Sequence, residues 1–127
     1  MKNLKKQIIQ TLDGSLSPKE INLLEKAFDF AEQYHSEQKR QSGEPFINHP
    51  LRVALTISQM KLGINAVIAG VLHDIVEDCN VPISKIRSEF NEEVAFLVSG
   101  LTKVNKIKYK GKEEDGIIEK ENFRNMI

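Results

Sequence analysis

Four ionisable side chains interrupt an otherwise apolar run, Val71-Leu72-His73-Asp74-Ile75-Val76-Glu77-Asp78. Charged groups at the edge of a core are paired or bind a metal, because burying them alone is unfavourable. On a helix His73 and Glu77 lie one turn apart, as do Asp74 and Asp78, so the four form two neighbouring rows along one side. Such a surface can hold a divalent cation and move protons beside it. His49 adds a second imidazole from the preceding helix. Two imidazoles and a carboxylate suit Mn, Fe, Zn or a similar ion, with water in the open positions. The purely structural alternative has His49 capping its helix and His73 paired with Asp74 as a satisfied, half-buried histidine.

Glu77 and Asp78 are expected beside a metal rather than on it. One would orient or deprotonate the attacking water while the other relays a proton or assists the leaving group. An idle helix end is the alternative, but carboxylates there oppose the helix dipole. The third histidine, His35, falls at a helix end where it can satisfy terminal carbonyls, a structural role. Just before His49 come Lys39, Arg40, Gln41 and Ser42. Arg40 can pair a phosphate or stack on a base, and Ser42 with the amides near Gly43 can bind an anion; a solvated loop would have the same composition.

The elements that must position these groups read as helices throughout. Leu4, Ile8, Ile9 and Leu12 predict a short amphipathic helix over 4–12, ended by Asp13-Gly14. Ser17, Pro18 and Glu20 carry the marks of a helix start with a capping box, and apolar spacing continues to about His35. The polar stretch 38–45 is expected to run over the surface as a loop. A third helix has Pro50 in its first turn and Gly63 as its stop. The fourth, from about Asn65 to Asp78, is apolar nearly all round and is expected at the centre. Gly70 within it costs about 1 kcal/mol against Ala and predicts a close helix crossing. A short helix with Ile83, Ile86 and Phe90 follows. Then Asn91 is expected to cap a helix whose inner face is Val94, Leu97, Val98 and Leu101. A basic, mobile segment is expected from Lys103 to Gly116, and a last helix from near Ile117. The fold class is all-α, with about six or seven helices.

The chain's 127 residues allow one domain or part of one, and 18 basic against 18 acidic residues leave no bulk field to attract nucleic acid or an acidic membrane. One cysteine, Cys79, excludes an internal disulfide and fits a reducing compartment. No stretch reads as a signal peptide or membrane span, so a cytoplasmic location is expected.

Two motifs together carry a family resemblance. Arg40-Gln41-Ser42-Gly43-Glu44-Pro45-Phe46-Ile47-Asn48-His49-Pro50 and Leu72-His73-Asp74-Ile75-Val76-Glu77-Asp78, followed by Leu101-Thr102-Lys103 and Glu121-Asn122-Phe123-Arg124, resemble the hydrolase domain of the RelA/SpoT alarmone enzymes. The resemblance implies an HD-type helical bundle that hydrolyses guanosine 3′,5′-bis(diphosphate), and its pentaphosphate form, to GDP or GTP plus pyrophosphate. It implies manganese held by His49, His73 and Asp74, with Glu77 and Asp78 as the catalytic carboxylates. Arg40 is similar to the arginine that packs on guanine, and Ser42 lies in the same nucleotide-binding loop. Gln41 stands where the family usually has a lysine, so one positive contact is missing or comes from Lys39. Asn91 replaces a usual glycine.

The family's fourth metal ligand is an aspartate downstream of the Glu-Asn-Phe-Arg stretch. On this reading residues 1–127 are the N-terminal part of one hydrolase domain, expected by themselves to bind metal weakly, to turn over slowly and to self-associate through a bared apolar face. Two alternatives stand beside it: an HD phosphohydrolase for another nucleotide, and a non-catalytic nucleotide-binding regulatory module.

Overall fold

The computed structural model describes residues 3–12, 14–36, 43 and 45–115, with side chains as far as Lys103. Among these residues there are six helices and no strand: α1 (Leu4–Thr11), α2 (Pro18–His35), α3 (Asn48–Gln59), α4 (Ile64–Asp78), α5 (Ile83–Glu89) and α6 (Glu92–Asp115). The all-α expectation holds. The last helix expected near Ile117 lies outside the described residues.

Local signals explain the starts. Asn3 caps α1 by accepting from the Lys6 N–H at 3.0 Å. At α2 the capping box is complete: Ser17 Oγ accepts from the Glu20 N–H at 3.2 Å, and the Ser17 N–H donates to Glu20 Oε1 at 2.9 Å. The third helix begins at Asn48, two residues ahead of Pro50. A turn feeds it, with the Asn48 N–H on the Pro45 carbonyl at 3.2 Å and the His49 N–H on the Phe46 carbonyl at 3.1 Å. Proline at the helix's third position is harmless, since the first turn's N–H groups have no intrahelical partner. Asn91 caps α6 through the Val94 N–H at 2.8 Å and also donates to Asn65 Oδ1, 3.2 Å away at the start of α4.

Two expectations are corrected. Gly63 does not end α3. That helix finishes at Gln59, Lys61 takes the left-handed conformation at φ 59°, and Gly63 at φ 97° is the N-cap of α4. A tight α3–α4 turn needs two left-handed residues in quick succession, and the sequence marks only one of them with glycine. The basic stretch after Lys103 is not a break either, because the backbone of α6 stays helical through Gly111 to Asp115. Lysine and glutamate are good helix formers, and one interior glycine costs only about 1 kcal/mol.

The core forms around α4, which packs against α2, α3 and α6. Every residue of α4 from Val67 to Ile75 is buried. The predicted close crossing is at Gly70, where a Cβ would sit 2.8 Å from Ile57 Cδ1 and 3.4 Å from the Ala54 Cα of α3. On α6, Val94, Ala95 and Val98 are buried and Leu97 and Leu101 half-buried. Among the described residues no helix is long and apolar enough to cross a membrane.

Candidate metal centre

The approach of α3 to α4 at Gly70 brings His49, in the first turn of α3, opposite His73 and Asp74. All three are buried, with His73 and Asp74 fully inaccessible and His49 at 4%. One carboxylate oxygen serves each imidazole: Asp74 Oδ1 is 3.1 Å from His73 Nε2, and Asp74 Oδ2 is 3.6 Å from His49 Nε2. The rings of His49 and His73 are inclined at 60° with centroids 6.3 Å apart. One donor atom from each of the three residues can be chosen so that all lie within 4.8 Å of one another. Among the described residues this is the one His/Cys/Asp/Glu group so arranged.

The backbone of α4 sets the tautomer of His73. Its Nδ1 lies 2.7 Å from the Gly70 carbonyl, one turn back. A carbonyl can only accept, so Nδ1 carries the proton and donates, and Nε2 is turned to the cluster. Metal-binding histidines are commonly oriented in this way, the far nitrogen donating to a carbonyl or carboxylate. Burial is the strongest single influence on the ring and pushes its pKa down. The charge and hydrogen bond of Asp74, the Gly70 carbonyl and the charge of Glu77 together outweigh it and hold the pKa above the usual 6.5. The donor chemistry fits a divalent transition metal: two imidazoles, one with its tautomer set, and a carboxylate with an oxygen toward each.

Glu77 and Asp78 lie on the last turn of α4 and are half-buried. They stand outside the three-residue donor group, though Glu77 is near enough for its charge to act on His73. The alternative role of His49 as a helix cap finds no support. Ile47 is the N-cap of α3, no side chain bonds there, and the His49 ring faces Asp74. Lys39, Arg40, Gln41 and Ser42 lie outside the described residues.

His35 and Phe46 are the residues whose place the sequence did not reveal. His35, the last residue of α2, is 2% exposed and stacks on Phe46, with centroids 4.9 Å apart and planes at 28°. Phe46 in turn presents to His49 at 72° and 6.5 Å. The one available signal was the spacing of Phe46 three residues before His49, which a helix-entry turn brings together.

A family model described as HD domain matches residues 27–127. The guanosine-3′,5′-bis(diphosphate) 3′-pyrophosphohydrolase of Aquifex aeolicus is 41% identical over 110 residues, 87% of this chain and 15% of that protein. The bifunctional (p)ppGpp synthase/hydrolase SpoT of Escherichia coli is 39% identical over 121 residues, 95% of this chain and 16% of that protein. A GTP pyrophosphokinase of Streptomyces coelicolor is 35% identical over 103 residues, 81% of this chain and 12% of that protein. The chain spans less than a fifth of the length of these curated relatives. With four-fifths of its length matched, and with two histidines and an aspartate gathered between α3 and α4, the chain belongs to the HD domain family.

Proposed function

We propose that these residues are part of a hydrolase domain that removes the 3′-pyrophosphate from guanosine 3′,5′-bis(diphosphate), giving GDP and pyrophosphate. The observation that carries the reading is the buried His49–His73–Asp74 cluster with Glu77 and Asp78 on the next turn of the same helix. Relatives named for this hydrolysis support it over most of the chain. His49, His73 and Asp74 are assigned as metal ligands, with Mn2+ as the ion the RelA/SpoT resemblance implies. When bound, the ion would activate water and offset charge on the pyrophosphate. Arg40, Ser42, Lys39 and Gln41 are assigned to the nucleotide, and the cytoplasm is the proposed location.

The chain's own groups supply the proton handling. Water adds to the phosphorus attached to the ribose 3′-oxygen, the P–O3′ bond breaks, and the bond's electron pair leaves on that oxygen. One of Glu77 and Asp78 takes the water's proton, and the other delivers a proton to the 3′-oxygen. Both are half-buried on the last turn of α4, the turn after His73 and Asp74. Asp74 is fully buried, with one oxygen toward each imidazole, and takes no part in this proton handling.

The test is a protein carrying these residues, loaded with Mn2+ and offered the alarmone beside dNTPs, cyclic dinucleotides and NADPH. GDP and pyrophosphate are expected from the alarmone alone. Glu77→Gln and Asp78→Asn are each expected to lower kcat by about 10²- to 10⁴-fold while leaving the metal bound. Equal turnover of another nucleotide, or full activity in both variants, would remove the assignment.

A further inference from the structure

We propose that Phe46 and His35 are positioning residues for His49, a ring stack that holds its imidazole facing His73 and Asp74. The inference rests on the metal-centre reading of that cluster and deepens it. His49 sits in the first turn of α3, where a helix is least tied by its own hydrogen bonds. Its Nε2 is 3.6 Å from Asp74 Oδ2, beyond hydrogen-bond length, so that contact does not by itself lock the ring. The perpendicular packing of Phe46, at 72° and 6.5 Å, supplies a constraint from the other side.

Phe46 is seated in its turn. The bond from the His49 N–H to the Phe46 carbonyl folds residues 46–49 into one turn, which sets the two rings side by side. The outer face of the stack is His35, almost wholly buried, at 4.9 Å and 28°. Cys79, the C-cap residue of α4, closes over this junction. Its thiol donates to the Tyr34 carbonyl at 3.5 Å, and its Sγ is 4.0 Å from His35 Nδ1. The end of α2, the entry to α3 and the end of α4 therefore meet at His35. Neither His35 nor Phe46 belongs to the donor cluster, so their part in it is to position His49.

Cobalt titration of the whole chain, read by the visible absorption of bound Co2+, tests the proposal. Melting temperatures are recorded for every variant, and titrations are run well below them. Phe46→Leu keeps apolar bulk and loses the ring; its Co2+ affinity is expected to fall about tenfold, with an altered absorption band. Phe46→Tyr is expected to restore both. His35→Phe keeps a flat ring against Phe46 and is expected to bind as the wild type does, whereas His35→Ala follows Phe46→Leu. A role in packing alone would lower melting temperatures and leave affinity and band unchanged, and that result overturns the proposal. Should Phe46→Leu not fold, the His35→Ala and His35→Phe pair decides on the same terms. If the wild type binds Co2+ no better than His49→Ala, the metal-centre reading itself falls and takes this inference with it.

Discussion

Two neighbouring turns of α4 meet α3 in opposite ways. At Gly70 the contact is apolar and as close as the backbones allow, against Ala54 and Ile57. One turn further on it is polar, with His73 and Asp74 facing His49. Burying three ionisable groups does little for stability and can oppose it, whereas apolar packing favours the fold. The two contacts are nonetheless coupled. The glycine sets how near α3 comes, which decides whether His49 reaches Asp74, and its carbonyl orients the His73 ring. The apolar turn thus holds the polar one in register.

Breaking the polar turn is expected to have the largest effect. Asp74→Ala removes the carboxylate shared by both imidazoles. Its loss of Mn2+ or Co2+ affinity, measured by calorimetry, is expected to exceed the roughly 10- to 100-fold typical of groups one step removed from a metal. Breaking the apolar turn comes next. In Gly70→Val the new Cβ meets Ile57 Cδ1 at 2.8 Å and the Ala54 Cα at 3.4 Å, and the branches have no room beyond it. A destabilisation of about 2–3 kcal/mol in urea is expected, with weaker metal binding as α3 is pushed away. Gly70→Ala should be much milder, because the Ile57 δ-methyl can rotate aside and alanine gains about 1 kcal/mol in helix propensity.

A change of pH separates the two turns without mutation. The His73 pKa lies above 6.5 in the fold, raised chiefly by Asp74 against the opposing pull of burial. Without metal, the protonated ring's contribution to stability is therefore full below about 6.5 and is lost as pH rises through the folded pKa. Metal affinity runs the other way, because the ion must displace the Nε2 proton; it is expected to rise over the same window. Paired urea and Co2+ titrations across pH 6–9 check both signs. The smallest effect is expected at the far end of α4. Asn91→Ala removes the α6 cap and the bond to Asn65, so about 1 kcal/mol of stability should go while metal affinity stays unchanged.

What could be read in the chain follows from the range of the forces involved. Ser17-Pro18-Glu20 and Asn91 marked helix starts because a cap is satisfied within three residues. Gly70 announced a crossing because its penalty inside a helix needs a reason. Gly63 starts α4 rather than ending α3, because a glycine between two helices can serve either one and the left-handed turn at Lys61 decides the matter. The basic run through Gly111 has the composition of a loop, yet its lysines and glutamates favour the helix it forms. His35 is the helix-end group its position implies. Its burial depends on Phe46, eleven residues on, and on Cys79, forty-four residues on, and no local pattern encodes such a meeting.

Sequence alone was enough to show that the protein is helical, that α4 is the buried helix, and that His49, His73 and Asp74 are of the residue types that can hold a metal. Periodicity and residue type suffice for those conclusions, since burial and ligand character belong to each residue. It took the packing of helices to bring an Asp74 oxygen to His49 and to set the His35–Phe46 ring stack behind it. Those are distances between helices, and they depend on how closely two backbones approach.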